Sequence, residues 1–200
     1  MTQEERRAVI IESKQENSII KGFFIDLYPC KLEYGEEIIR LRNQERSRYN
    51  FNQLYVSTIE LQHKWFVDYE NRDNDIYWCI NDKKGNIVGT VRLYNIEIDG
   101  SSCHQGSLVI DESLSLSGPY AVETEILTLN YCFDKLQVET IIIEIRADNN
   151  KMISISKRIG FSFLEKFVRD GANYNYYNLT KQSYNKDYLE NLLKSWTNRL

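Results

Sequence analysis

The chain has 200 residues, 42% hydrophobic and 27% charged, with only two prolines. That composition fits one globular domain and excludes a disordered, collagen-like or linker-rich chain. A formal net charge of −4 excludes a general nucleic-acid binder, which needs clustered Lys and Arg to neutralise phosphates. The four cysteines, Cys30, Cys79, Cys103 and Cys132, lie far apart with no C-x-x-C pair, so neither a disulfide framework nor a zinc site is expected.

The opening MTQEERRAVIIESKQENS has too short an apolar run for a signal peptide, and no eighteen uncharged apolar residues run together, so a cytoplasmic protein without a membrane anchor is expected. Residues 1–19 read as an N-terminal arm, either a short helix or a loosely held segment. Gly22 to Tyr28, closed by Pro29, predicts a first strand. Residues 34–48 carry Ile38, Ile39 and Leu41 in a charged setting and predict one amphipathic helix. After a loop over 50–57, Thr58 is a candidate N-cap for a helix through Tyr69, although Leu61 leaves the capping box incomplete.

Asp75 to Ile80 and Ile87 to Ile96 predict a hairpin around Asp82-Lys83-Lys84-Gly85-Asn86, and His104 to Ile110 a third antiparallel strand. Gly118-Pro119 opens a helix, because proline is tolerated where the first helical N–H has no partner. Its apolar residues leave only a narrow polar face, so it is largely buried. Val138 to Ile145, with three consecutive isoleucines, reads as a central strand covered on both faces. A helix over 151–159 stops at Gly160, two strands follow around Asp170-Gly171, and residues 181–200 hold a closing amphipathic helix.

The Gly-opened helix after a strand ending at Ile110, the Ile-rich strand, and Asn149 followed by a short helix and Lys157-Arg158-Ile159-Gly160-Phe161 together resemble the GCN5-related N-acetyltransferase (GNAT) superfamily over roughly residues 20–180. The resemblance implies an α/β (α+β) fold: a mixed sheet of about seven strands, splayed between the fourth and fifth, with helices on both faces. Within the superfamily, Arg42-Asn43 followed by His63 and Trp65 is similar to bacterial nucleotide-amino-sugar N-acetyltransferases of the pseudaminic acid pathway type. A comparable pattern occurs in ribosomal-protein alanine acetyltransferase-like enzymes.

The resemblance implies acetyl-CoA as cosubstrate, no metal, and a small-molecule amine acceptor, with a nucleotide-linked amino-deoxysugar preferred. It implies no nucleic-acid or membrane partner and admits a homodimer. A protein N-terminus or small amine is the alternative acceptor, and a non-catalytic CoA-binding domain is the other reading. The splay would leave backbone groups of Leu108, Val109 and Ile110 free for the pantetheine arm, with Asn149 a further contact. The pyrophosphate would lie at the helix start formed by Ser115, Ser117, Gly118, Tyr120 and Ala121. Relatives place (Q/R)-x-x-G-x-(G/A) there, and only Gly118 matches.

Seven residues after Asn149, where relatives carry a tyrosine that protonates the departing thiolate, stands Ser156. It is a weaker candidate catalytic and cofactor-binding residue, able to give only a hydrogen bond or hold a water. The candidate bases are His63, which has a suitable unperturbed pKa, His104, Glu97 and Asp111, with a water chain as an equal alternative. Arg42, Asn43, His63 and Trp65 are the candidate acceptor contacts. Each has a plainer structural reading: Asn149 as an ordinary N-cap, Ser156 and Trp65 as packing, Arg42 as a solvated helix face, and His63 as a helix residue with no proton to move.

Overall fold

Alternation along the central strands sorts apolar side chains onto two faces, which is what lets one sheet carry helices on both sides. The computed structural model describes residues 1–114 and 118–198. In strand β3 (Ile76–Asp82), Ile76, Trp78 and Ile80 enter the larger core while Tyr77 and Cys79 enter the smaller one. Helices α1 (Gln3–Glu12), α5 (Pro119–Asn130), α6 (Asn150–Ile159) and α7 (Lys186–Thr197) contribute to the larger core. Helices α2 (Gly35–Arg42) and α4 (Ile59–Glu70) cover the smaller.

The remaining strands are β1 (Ile20–Lys21), β2 (Ile25–Pro29), β4 (Ile87–Tyr94), β5 (Ser102–Ile110), β6 (Thr140–Arg146), β7 (Ser162–Arg169) and β8 (Ala172–Thr180). Their spatial order is β1-β2-β3-β4-β5-β6-β8-β7, and β5–β6 is the parallel pair. The crossover between those two strands is α5, whose sparse polar face matches its position under the sheet. Among the described residues no helix is long and apolar enough to cross a membrane.

The sheet has eight strands where about seven are expected, because the first strand is split in two. Glu123 on α5, only 3% exposed, accepts hydrogen bonds from the N–H groups of Phe23 (2.6 Å), Phe24 (2.7 Å) and Ile25 (2.9 Å). That tightens a turn which folds β1 back on β2. The single helix expected over 34–48 also divides, into α2 and α3 (Glu45–Asn50). At the break the Asn43 side chain leaves the helix surface: it donates to Ser57 O (2.9 Å) and accepts from Ser57 N (2.8 Å), pinning the 51–57 loop.

Residues 3–12 are helical and docked. Arg6 is buried, and its guanidinium donates to Leu136 O (2.8 Å) and Ile98 O (2.5 Å). Gly160 ends α6 at φ +113, a conformation glycine reaches without steric cost, and a Cβ there would lie 1.8 Å from Ser183 O.

Candidate active site

Strands β5 and β6 pair only from Ser102↔Thr140 to Gln105↔Ile143, and beyond that point they have no register with each other. A bulge accompanies the divergence. Arg92 faces Gly106 and Thr90 faces Val109, so Ser107 and Leu108 together oppose Val91, with Ser107 held at φ +48. The Thr90 hydroxyl fixes the bulge by donating to Ser107 O at 3.0 Å. The consequence is a wedge in which the β6-facing edge of Gly106–Ile110 lacks a strand partner.

A cavity of about 390 Å³ opens at this wedge, lined by both strands and by residues of α2, α3, α5 and α6. A second cavity of about 370 Å³ lies between α5, α6 and α7. Leu108, Glu125 and Met152 line both, and they mark where one cavity meets the other.

The main cavity is rich in arginine for an acidic chain: Arg42, Arg46, Arg92, Arg146 and Arg169 line it, with Glu125 and Glu144. Three of these arginines are bound to carboxylates. Arg92 is held by buried Asp75 (Nε to Oδ1 2.7 Å), Arg169 by Glu144 (2.5 Å) and Arg146 by Asp148 (3.1 Å). Arg46 donates instead to the carbonyls of Ile110 (2.7 Å) and Asp111 (3.3 Å), and Arg42 lies 5.4 Å from the Phe51 ring. Neither guanidinium pairs with a carboxylate among the described residues, although the Arg46 backbone N–H donates to Glu112 Oε1.

Glu125 is set apart by its surroundings. Burial pushes its carboxyl up to about 7, opposed only by the hydrogen bond that Gln105 Nε2 donates to Oε2 at 3.0 Å. Gln105 is itself fixed by Thr128, its amide nitrogen lying 3.0 Å from Thr128 Oγ1.

Of the positions singled out in the sequence, Arg42, Leu108, Val109, Ile110, Asn149 and Ser156 come together around the main cavity. Asn149 caps α6 by accepting from Met152 N (3.2 Å) and also donates to Asn50 Oδ1 (3.3 Å), so its capping role and its place at the cavity coexist. Ser156 is 2% exposed. Gly118 is the N-cap of α5, and Ala121 lines the second cavity; Tyr120 is half-buried one residue past Pro119. Ser115 and Ser117 fall outside the described residues.

Six others lie elsewhere. His63 is exposed on α4 and does not line the main cavity. Asn43 is spent on the loop. Trp65 stacks on Tyr69 (5.2 Å between centroids), lies under Arg92 (5.1 Å), and lines a side pocket with Arg42 and Arg92. Glu97 is exposed.

His104 packs between Tyr94 and Tyr176, and burial lowers its pKa, keeping it neutral near pH 7. Burial acts to raise the Asp111 carboxyl, but hydrogen bonds from Arg40 and Ser113 outweigh it and hold the group at about 2, as a committed ion-pair partner.

The sequence reading missed Arg46, Arg92, Arg169 and Glu125. The available signals were charges in apolar settings: an arginine inside VGTVRLY and a glutamate within the nearly apolar PYAVETEILTLN.

The acetyltransferase (GNAT) domain family matches residues 26–162. Among solved structures the chain is similar to a GCN5-related N-acetyltransferase from Brucella melitensis, at 22% identity and a TM-score of 0.71, covering 92% of this chain and 86% of that one. FdhC, a nucleotide-linked sugar GNAT in its apo form, is similar at 25% identity and a TM-score of 0.70, covering 88% and 97%. Spermidine N-acetyltransferase from Vibrio cholerae, in complex with CoA and spermine, is similar at 15% identity and a TM-score of 0.72, covering 80% and 97%. No curated protein gives a significant match.

Proposed function

The chain belongs to the acetyltransferase (GNAT) domain family, and from that premise we propose that its acceptor is the primary amine of a nucleotide-linked amino-deoxysugar. Acetyl-CoA is the family's donor, and the wedge fits it: a strand edge without a partner at Gly106–Ile110 suits the amides of a pantetheine arm. The second cavity, with Lys151 and Arg158 on α6, suits the anionic end of the same molecule.

The observation that carries the acceptor assignment is the pair Arg42 and Arg46, two cavity cations whose guanidinium groups have no carboxylate partner among the described residues. A diphosphate satisfies both, whereas a polyamine would add like charge to a cavity already rich in arginine. The similarity to FdhC, which is a nucleotide-linked sugar GNAT, agrees with this reading.

Direct transfer needs a neutral amine, a polarised thioester carbonyl and a proton for the departing thiolate. In this reading Arg42 and Arg46 anchor the acceptor's phosphates. The bulged backbone at Ser107–Leu108 stands beside the scissile carbonyl, and Ser156 contributes at most a hydrogen bond.

The test is thiol release from acetyl-CoA over a panel of UDP- and dTDP-linked amino sugars, spermidine and peptides. Turnover with the nucleotide-linked sugars, and a KM for them that rises at least tenfold in Arg46→Ala, is expected. Turnover confined to spermidine or peptides would overturn the assignment.

A further inference from the structure

We propose that Glu125 is the acid of the transfer: its carboxyl hands a proton to the coenzyme A sulfur as the C–S bond breaks. This rests on the acetyl-transfer reading above and goes beyond it, because that reading leaves the thiolate without a donor. Leu108, Glu125 and Met152 are the residues shared by the two cavities, and of these only Glu125 ionises. A thioester reaching from the α5–α6–α7 cavity into the arginine-lined one must pass this junction, so its sulfur comes beside the Glu125 carboxyl. Ser156, which lines the main cavity from α6, offers only a short and weakly acidic hydroxyl.

The carboxyl is presented for this task. Gln105 holds Oε2 from the strand side, which leaves Oε1, without a partner among the described residues, for the junction. The charged and titratable groups around it are Cys132 and Tyr184 on the core side, Arg92 and Glu144 in the main cavity, and Lys151 and Arg158 in the second. None forms an ion pair with Glu125, so burial dominates and favours the protonated form, with the carboxyl at about 7. The amine nitrogen bonds to the carbonyl carbon, the C–S electron pair leaves with sulfur, and sulfur takes the proton from Oε1. The nitrogen sheds its extra proton to water, and water reprotonates the carboxylate.

The experiment compares wild type with Glu125→Gln, which keeps the size and the acceptor for Gln105, and with Glu125→Asp, which keeps the acid but draws it back by one methylene. If wild type shows neither stabilisation by acetyl-CoA nor thiol release, the failure lies with the acetyl-transfer reading. With wild type active, Glu125→Gln is expected to bind acetyl-CoA within about twofold and to lose roughly tenfold to a hundredfold in kcat, at or below the lower end for acid catalysis because a thiolate leaves readily. Glu125→Asp is expected to fall between the two and guards against a Gln variant that does not fold.

A second readout is independent of turnover: calorimetry of acetyl-CoA binding at pH 7 in two buffers of different ionisation enthalpy. Wild type should take up a fraction of a proton, because the ligand dries the carboxyl further, and Glu125→Gln should take up none. A Glu125→Gln enzyme within twofold of wild type in kcat, or with the same proton uptake, would overturn the proposal.

Discussion

Glu123 and Glu125 stand two residues apart on α5 and meet opposite environments. Glu123 points into three converging backbone N–H groups and is as well satisfied as a buried carboxylate can be. Removing it in Glu123→Ala strands those donors in a tight turn. A loss of at least about 3 kcal/mol is expected in denaturant unfolding, given charge-assisted bonds of roughly 1.5–3 kcal/mol each.

Glu125 is half-buried with one hydrogen bond, and burial raises its carboxyl, so its charge opposes folding. With the folded pKa raised to about 7 against an unfolded value near 4.5, the native state holds the extra proton. Stability therefore falls as pH rises through that window. Glu125→Gln should match wild type below about pH 4.5 and exceed it at pH 8 by roughly 1 to 3 kcal/mol, the side chain being half-buried, measured by denaturant titration at both pH values. No gain at pH 8 would mean that the carboxyl is better solvated than its position suggests. PYAVETEILTLN shows both glutamates as charges in an apolar setting but not their roles, because helical period tells which face a residue occupies and not what waits across the gap.

At the scale of elements, the α6 segment was the most readable part of the chain. Its N-cap, its Gly160 stop and its entry from an Ile-rich strand are all local chemistry, and the structure has each of them. Asn149→Ala should cost about 1 kcal/mol in stability for the lost cap. If the same side chain also holds the pantetheine, KM for acetyl-CoA should rise several-fold as well. A stability loss with KM unchanged would confine Asn149 to capping.

The segment 34–48 was less legible. Its apolar spacing suits one continuous helix, and only a partner 14 residues downstream, Ser57, shows why Asn43 leaves it. The order of the last two strands was equally invisible. β8 takes the inner place beside β6 and β7 the edge, with Phe163, Leu164 and Val168 half or more exposed, a choice that depends on long-range pairing.

For the whole molecule, charge is distributed against its own sum. The chain carries −4, yet five arginines line one cavity, and the two whose guanidinium groups have no carboxylate partner among the described residues, Arg42 and Arg46, give it a local positive charge that the net charge conceals. Composition could not reveal this, because the arginines come from five separate elements, α2, α3, β4, β6 and β7.

The seam between β5 and β6 is short, four registered pairs, and it is the place where the antiparallel set β1–β5 meets the antiparallel set β6–β8. Amides of Gly106–Ile110 that face the wedge should exchange with solvent faster than those of Ser102–Gln105 in the free protein, and slow down when acetyl-CoA is added. Equal rates in both stretches would show the seam closed by other means. A donor that pairs with this edge acts as a ninth strand that arrives from solution. By mass action it adds about 2.7 kcal/mol of stability at a hundred times its dissociation constant. The equilibrium stability of the folded chain would then follow the supply of its own substrate.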